Sequence, residues 1–169
     1  MLFSFTVCGD KNESIRIEGE RHELPSLRGY DILSVISDSG ITRYRVTAAE
    51  MLVYDKAPDP YWFFPKGIYL ERFDENYNID ANLVADTAKH FEQRAVWQLN
   101  GNVKIVNMEG EIFETDELFW DQREERVYTE QSMKITQPSR IIFGDGFESN
   151  QTMTKYEIKQ PRGVFQMGD

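Results

Sequence analysis

The chain lacks most of the residue patterns that carry chemistry. It has a single cysteine, Cys8, so no disulfide can form within it. Its two histidines, His22 and His90, stand far apart, and no HExxH, CxxC, GxSxG or phosphate-loop pattern occurs. No metal site, no catalytic residue and no cofactor is expected from such a sequence. It also has no apolar run approaching the ~18 residues that a membrane-spanning helix requires. Positive charge is scarce: 19 Lys and Arg stand against 29 Asp and Glu, for a formal net charge of −10. That balance argues against nucleic acid as a partner, because phosphate binding needs a basic face. It fits a solvated acidic surface that keeps the protein soluble.

What is present is enough for one domain of ordinary size. The chain has 169 residues, and 40% of them are hydrophobic, which suffices to bury a core without disulfides or metals. The first seven residues, Met1, Leu2, Phe3, Ser4, Phe5, Thr6 and Val7, are apolar but too few to span a bilayer or to form a complete signal peptide. They read as the remnant of an anchor or signal. Cys8 would then stand where a bacterial lipoprotein carries its lipid, although Val7 is not the small residue that usually precedes it; a free thiol or a truncated anchor is the other reading. Residues 9–28 are polar, with Gly19 and Pro25 among them, and read as a linker. The expected division is 1–28 for this remnant plus linker and 29–169 for a folded domain.

From Tyr30 onward the pattern has the period of a β-strand. Val127, Thr129, Gln131, Met133 and Ile135 alternate with Tyr128, Glu130, Ser132, Lys134 and Thr136. Tyr44, Val46 and Ala48, then Trp97 and Leu99, then Tyr156 and Ile158, alternate with more polar neighbours in the same way. Turn chemistry separates the runs: Asp38-Ser39-Gly40, Asn100-Gly101, Glu109-Gly110 and Gly144-Asp145-Gly146. Asn100-Gly101 is the strongest hairpin signal. Pro58, Pro60 and Pro65 flank Tyr61-Trp62-Phe63-Phe64, which reads as an edge strand or a bend. Over residues 80–93 a helix is conceivable, since Leu83, Thr87 and His90 share a helical face, but the periodicity is poor and a strand is the better expectation. A weak repeat at steps of about 30 residues places Val103-Lys104-Ile105, Met133-Lys134-Ile135 and Gly163-Val164-Phe165 in register. Such strand pairs cannot bury a face alone and must stack on one another.

Read in order, several segments together resemble a known family. They are Ser37 through Tyr44, Ala48 through Asp55, Leu99-Asn100-Gly101-Asn102-Val103, Phe113 through Asp121, Ile142 through Asn150, Tyr156-Glu157-Ile158, and Gly163-Val164-Phe165. Their order and spacing resemble the LptC family in its Bacteroidetes-type form, over most of the chain. The resemblance implies an all-β fold: a twisted, boat-shaped, OstA-like β-jellyroll of stacked antiparallel strands with open ends. It implies a periplasmic domain, tethered to the inner membrane, that docks on the LptB–LptF–LptG transporter. Such a domain binds the acyl chains of lipopolysaccharide and passes them to an LptA-like protein through its C-terminal edge. The spanning helix of the family is not visible in this sequence.

A lipid carrier needs an apolar channel, and alternating strands supply one because every second side chain faces inward. About ten buried methylenes would contribute roughly 8 kcal/mol to capture. The candidate wall is Val46, Ala48, Ile68, Leu70, Leu83, Trp97, Val103, Ile105, Phe113, Leu118, Val127, Met133, Ile135, Phe147, Tyr156 and Ile158; the same residues also describe a plain core. Arg43 and Arg45 are candidates to meet a phosphate, or else belong to a solvated strand face. Unpaired edges at residues 30–37 and 156–165, the latter with Tyr156, Ile158, Val164 and Phe165, are candidates for strand pairing with a partner, unless Lys159, Pro161 and Arg162 are there to block it. Two other functions fit less of the sequence. One is a β-scaffold of the cell envelope that binds only protein. The other is a carbohydrate-active jellyroll enzyme, which the abundant carboxylates alone do not argue for.

Overall fold

The computed structural model describes residues 24–38 and 40–166, so Cys8, His22 and most of the expected linker lie outside the described residues. The described part is built of antiparallel strands: β1 (Leu27–Asp38), β2 (Ile41–Tyr54), β3 (Tyr61–Phe64), β4 (Ile68–Phe73), β5 (Ile79–Ala85), β6 (Thr87–Phe91), β7 (Val96–Asn107), β8 (Ile112–Asp121), β9 (Arg126–Thr136), β10 (Arg140–Asn150) and β11 (Tyr156–Gln166). The first strand starts at Leu27, just inside the stretch expected to be linker. The segment over residues 80–93 forms two strands, β5 and β6, because Ala81, Leu83 and Ala85 are buried alternately with exposed or half-buried neighbours.

Hydrogen bonding joins all strands into one sheet, and the long strands serve two halves of it. In β2, Tyr44–Thr47 pair with β4, while Leu52–Tyr54 pair with β3. In β7, Val96–Asn100 pair with β6, while Val103–Asn107 face the other half, where Lys104–Asn107 pair with β5. One half therefore holds β4 and β5 and the other holds β3 and β6, and β1, β2 and β7 through β11 run through both. The two halves fold onto each other. Phe113 of the first half lies 5.6 Å from Phe147 and 5.1 Å from Tyr156 of the second, and Tyr44 of the first lies 4.9 Å from Trp120 of the second, ring centre to ring centre. This is the all-β jellyroll expected from the sequence.

The fold line is written in local irregularities. Register shifts interrupt β7 between Asn100 and Val103, β8 between Glu114 and Phe119, and β10 beside Gly146, where each strand crosses from one half to the other. Asn100-Gly101 is thus not a hairpin turn. Gly101 and Asn102 take positive φ, 76° and 44°, one residue later than an Asn100-Gly101 turn would require, and form a bulge that bends a single strand. The second apparent break, Gly144-Asp145-Gly146, likewise lies inside β10. Glu109-Gly110 does form the turn between β7 and β8, with Gly110 donating to the Asn107 carbonyl at 3.0 Å. Tyr61-Trp62-Phe63-Phe64 is an inner strand, paired with β2 on one side and β6 on the other. Its flanking prolines lie outside the ladder, so they cost it no hydrogen bond.

The 30-residue repeat has a structural basis. Val103, Met133 and Val164 lie on alternate strands, β7, β9 and β11, each just past the fold line.

Candidate functional site

The interior between the two halves is one apolar cluster. All of the expected wall residues from Val46 to Phe147 are buried in it, and Tyr156 and Ile158 are partly buried against it. The sequence reading missed Phe64, Ala85, Ala88, Leu99, Trp120 and Met153, which belong to the same cluster. Leu99 and Trp120 sit in runs whose alternation points to them. Met153 sits in a loop, where periodicity gives no signal.

The interior is closely filled. Leu118, Ile135 and Phe147 have no measurable exposure. Between the half-sheets lies a slit of about 40 Å³ lined by Leu70, Leu83, Ile105, Leu118, Val127 and Met153, with Tyr44 and Trp120 at its side. That holds roughly three water-sized groups, by the ~10–15 Å³ each requires. In this state it does not hold an acyl chain; a tail enters only if the halves part.

At the rim opposite the fold line, specific contacts join the two halves. The loop from β10 to β11 is shaped by Asn150, whose Oδ1 accepts from the backbone of Thr154 and Lys155 at 3.0 and 3.1 Å. This presents Met153 to the core at a positive φ of 58°, rare for a side chain other than glycine. Asn107, at the end of β7, is buried and donates to the Met153 carbonyl at 3.0 Å and to Glu111 at 2.9 Å. Its side-chain Oδ1 accepts from the backbone N–H groups of Glu109 and Glu111. Glu111 in turn accepts from the Tyr156 hydroxyl at 3.1 Å and from Gln137. Burial, and then the neighbouring Glu111, push the Tyr156 hydroxyl up to about 12. Tyr156 is therefore a strut between the halves rather than a free edge residue.

Further along the rim, toward β1, the Tyr44 hydroxyl donates to Gln151 at 3.1 Å. Burial raises its pKa, and the nearby Arg72 opposes the rise. Above this contact a polar hollow of about 500 Å³ is lined by Arg43, Arg72, Arg123, Glu125, Gln122 and Gln151 among others. Arg72 pairs with Asp80, and Arg123 donates to the Gln93 carbonyl. Among the described residues Arg43 makes no ion pair. Arg45, by contrast, bonds Glu71 on the outer face and stacks 5.4 Å from Phe73, so the structure separates the two arginines that the sequence placed together.

Among the described residues the two ends of the sheet, β1 and β11, are each paired on one side only. On β1, Leu33 and Val35 are exposed while Ile32 and Ile36 pack inward. On β11 the expected edge set divides. Tyr156 and Ile158 face the core, and Val164 and Phe165 are exposed. Arg162 bonds Asp145 at 3.0 Å and Lys159 bonds Glu130, both across the face toward the interior strands.

His90 is half-buried, 4.4 Å from Trp97 and 5.6 Å from Trp62, with Nε2 at 3.3 Å from Gln122. Burial lowers its pKa. It is a packing residue. Among the described residues no group of three or more His, Cys, Asp or Glu could hold a metal, and no helix is long and apolar enough to cross a membrane.

A search of the curated proteins found no match to this chain. Among solved structures, the crystal structure of LptH from Pseudomonas aeruginosa, the LptA-homologous periplasmic component of the lipopolysaccharide transport device, aligns with a TM-score of 0.41 and 14% identity over 89% of this chain and 99% of that one. The family model described as "Lipopolysaccharide-assembly, LptC-related" matches residues 29–165. That family is non-enzymatic and serves the lipopolysaccharide transport bridge in the periplasmic part of the cell envelope. From Gly29 in β1 to Phe165 in β11, in a jellyroll whose apolar interior lies between two folded half-sheets, the chain belongs to the LptC-related lipopolysaccharide-assembly family.

Proposed function

We propose that this protein accepts lipopolysaccharide from an inner-membrane transporter of LptF and LptG with LptB, holds its acyl chains between the two half-sheets, and passes it to an LptA-like protein. The observation that carries this reading is the shape of the apolar cluster. It runs from strand β2 to strand β10 without interruption and ends beneath two unpaired sheet edges. A tail lying along it would meet mainly apolar side chains, and each CH₂ so buried contributes ~0.8 kcal/mol. The acidic surface leaves the phosphorylated head in solvent.

The edges supply the connection to partners. An unpaired strand offers main-chain donors and acceptors to a strand of another protein. The exposed stretch of β11 at Val164 and Phe165 is assigned to the LptA-like partner, and β1 to the transporter. The chain is taken to work in the periplasm beside the inner membrane, with Cys8 as a candidate for lipidation.

The close packing of Leu118, Ile135 and Phe147 favours a second reading, a scaffold that binds only protein. Photocrosslinking in cells separates the two. A photoreactive residue at Val103 or Met133, both buried in the cluster, forms adducts with lipopolysaccharide if the interior opens to the lipid. Adducts to protein alone, at both positions, overturn the carrier reading.

A further inference from the structure

The hollow above the Tyr44–Gln151 contact has the features of a ligand seat that strand pairing does not explain. It gathers Arg43, Arg72 and Arg123 in a chain with a net charge of −10. Two carboxylates share the region: Asp80, paired with Arg72, and Glu125. The hollow and the apolar slit have Tyr44, Arg72 and Gln151 in common, so charge and grease are contiguous. Trp120 lines the slit, is 95% buried by its exposure of 5%, and its Nε1–H has no acceptor.

The geometry points to a lateral portal, in which a single acyl chain with an anionic end enters the slit from the side, its tail between the half-sheets and its anionic oxygens among Arg43, Arg72 and Arg123. Tyr44 and Gln151 form the latch, since their hydrogen bond ties β2 of one half to the rim loop of the other. Met153, unbranched and set at the slit, is the side chain that must yield. The portal rests on the carrier reading for its lipid, but it differs in route: loading occurs through the rim between the halves and not along the sheet from an edge. A phosphate and a carboxylate supply the same chemistry to the arginines.

The test uses the full chain and two probes below their critical micelle concentrations, dodecyl phosphate and the uncharged dodecyl maltoside, with laurate as a third to distinguish the anion. Binding is read by tryptophan fluorescence, and Trp120→Phe identifies the responding ring. Dodecyl phosphate is expected to bind at least about tenfold more tightly than dodecyl maltoside, as charge-assisted hydrogen bonds imply. The pair Arg43→Ala with Arg123→Ala is expected to remove that preference while the thermal midpoint stays near the parent value. Tyr44→Phe is expected to speed entry of either probe. Laurate binding like dodecyl phosphate indicates a seat for any anionic end; dodecyl phosphate alone indicates a phosphate seat. Equal affinity for charged and uncharged chains, or a preference that survives the double substitution, overturns the portal. If Val103 and Met133 crosslink lipopolysaccharide all the same, the carrier reading stands without it. If dodecyl phosphate binds at the arginines but no lipopolysaccharide adduct forms, the portal stands and the carrier reading falls.

Discussion

At the residue scale, the molecule places aromatic rings where the two halves meet. Phe147 touches Phe113 across the interior and Tyr156 on the neighbouring strand, and has no exposed surface. Phe147→Ala should therefore cost ~3–5 kcal/mol, as for other large-to-small changes in a filled core. A urea midpoint read by tryptophan fluorescence checks this, and a cost below about 1 kcal/mol would mean that the interior is already loose. His90 gives a pH signature. Its pKa is lowered in the fold by burial against Trp97, so the neutral ring is favoured there. Below the ordinary histidine value of ~6.5 the unfolded chain binds the proton more readily than the folded one, and stability rises with pH in that range. The contribution is present above that value and is lost as pH falls through the depressed folded pKa. The thermal midpoint of the parent should thus fall more between pH 7 and pH 5 than that of His90→Gln; parallel curves would show that the histidine is not shielded. Most of these ring positions were legible as strand alternation, because a buried face and a wet face differ every second residue. Met153 was not. Its burial comes from a loop bent by Asn150, and loop bonding leaves no periodic trace.

At the element scale, the long strands are bent, and the bends are where the sequence misleads. Asn100-Gly101 carries the sequence signal of a hairpin, yet the positive φ angles fall at Gly101 and Asn102 and make a bulge. What decides between them lies elsewhere in the chain. Asp86, between β5 and β6, receives Asn102 at 2.7 Å, and its backbone N–H donates to the Gly101 carbonyl at 2.9 Å. Local residues cannot announce a partner fifteen positions upstream, so β7 reads as two strands until the fold is seen. A Cβ at position 101 would lie 2.7 Å from the Asp86 carboxylate in addition to requiring positive φ. Gly101→Val should destabilise by ~1–3 kcal/mol from strain at a left-handed position. Asn100→Ala, which leaves the glycine in place, should cost much less; equal losses in denaturant would point to a turn rather than a bend.

At the scale of the whole molecule, a folded sheet with a core at its centre still has two open edges. Composition gave the acidic character, and the alternation gave the fold class. The candidate wall was legible because wall and core obey the same pattern; whether the wall opens was not, because sequence periodicity describes which residues face inward and not how far apart the faces stand. The edges were legible as positions but not as orientations. Residues 156–165 lie in one strand paired with β10, and only in its later part, at Val164 and Phe165, are its large apolar side chains exposed. Tyr156 is committed to Glu111 and Gln137, so a change there damages folding and partner binding together. Proline at 164 or 165 separates them. Alternate amides of β11 point to β10 and to the free edge, so one of the two substitutions removes a ladder bond and the other removes an amide offered to a partner. If the C-terminal edge carries the LptA-like contact, one proline variant should lose co-purification with that partner while its thermal midpoint shifts by only a few degrees, and Tyr156→Ala should lower both. Retention of the partner by both proline variants would move the contact away from β11.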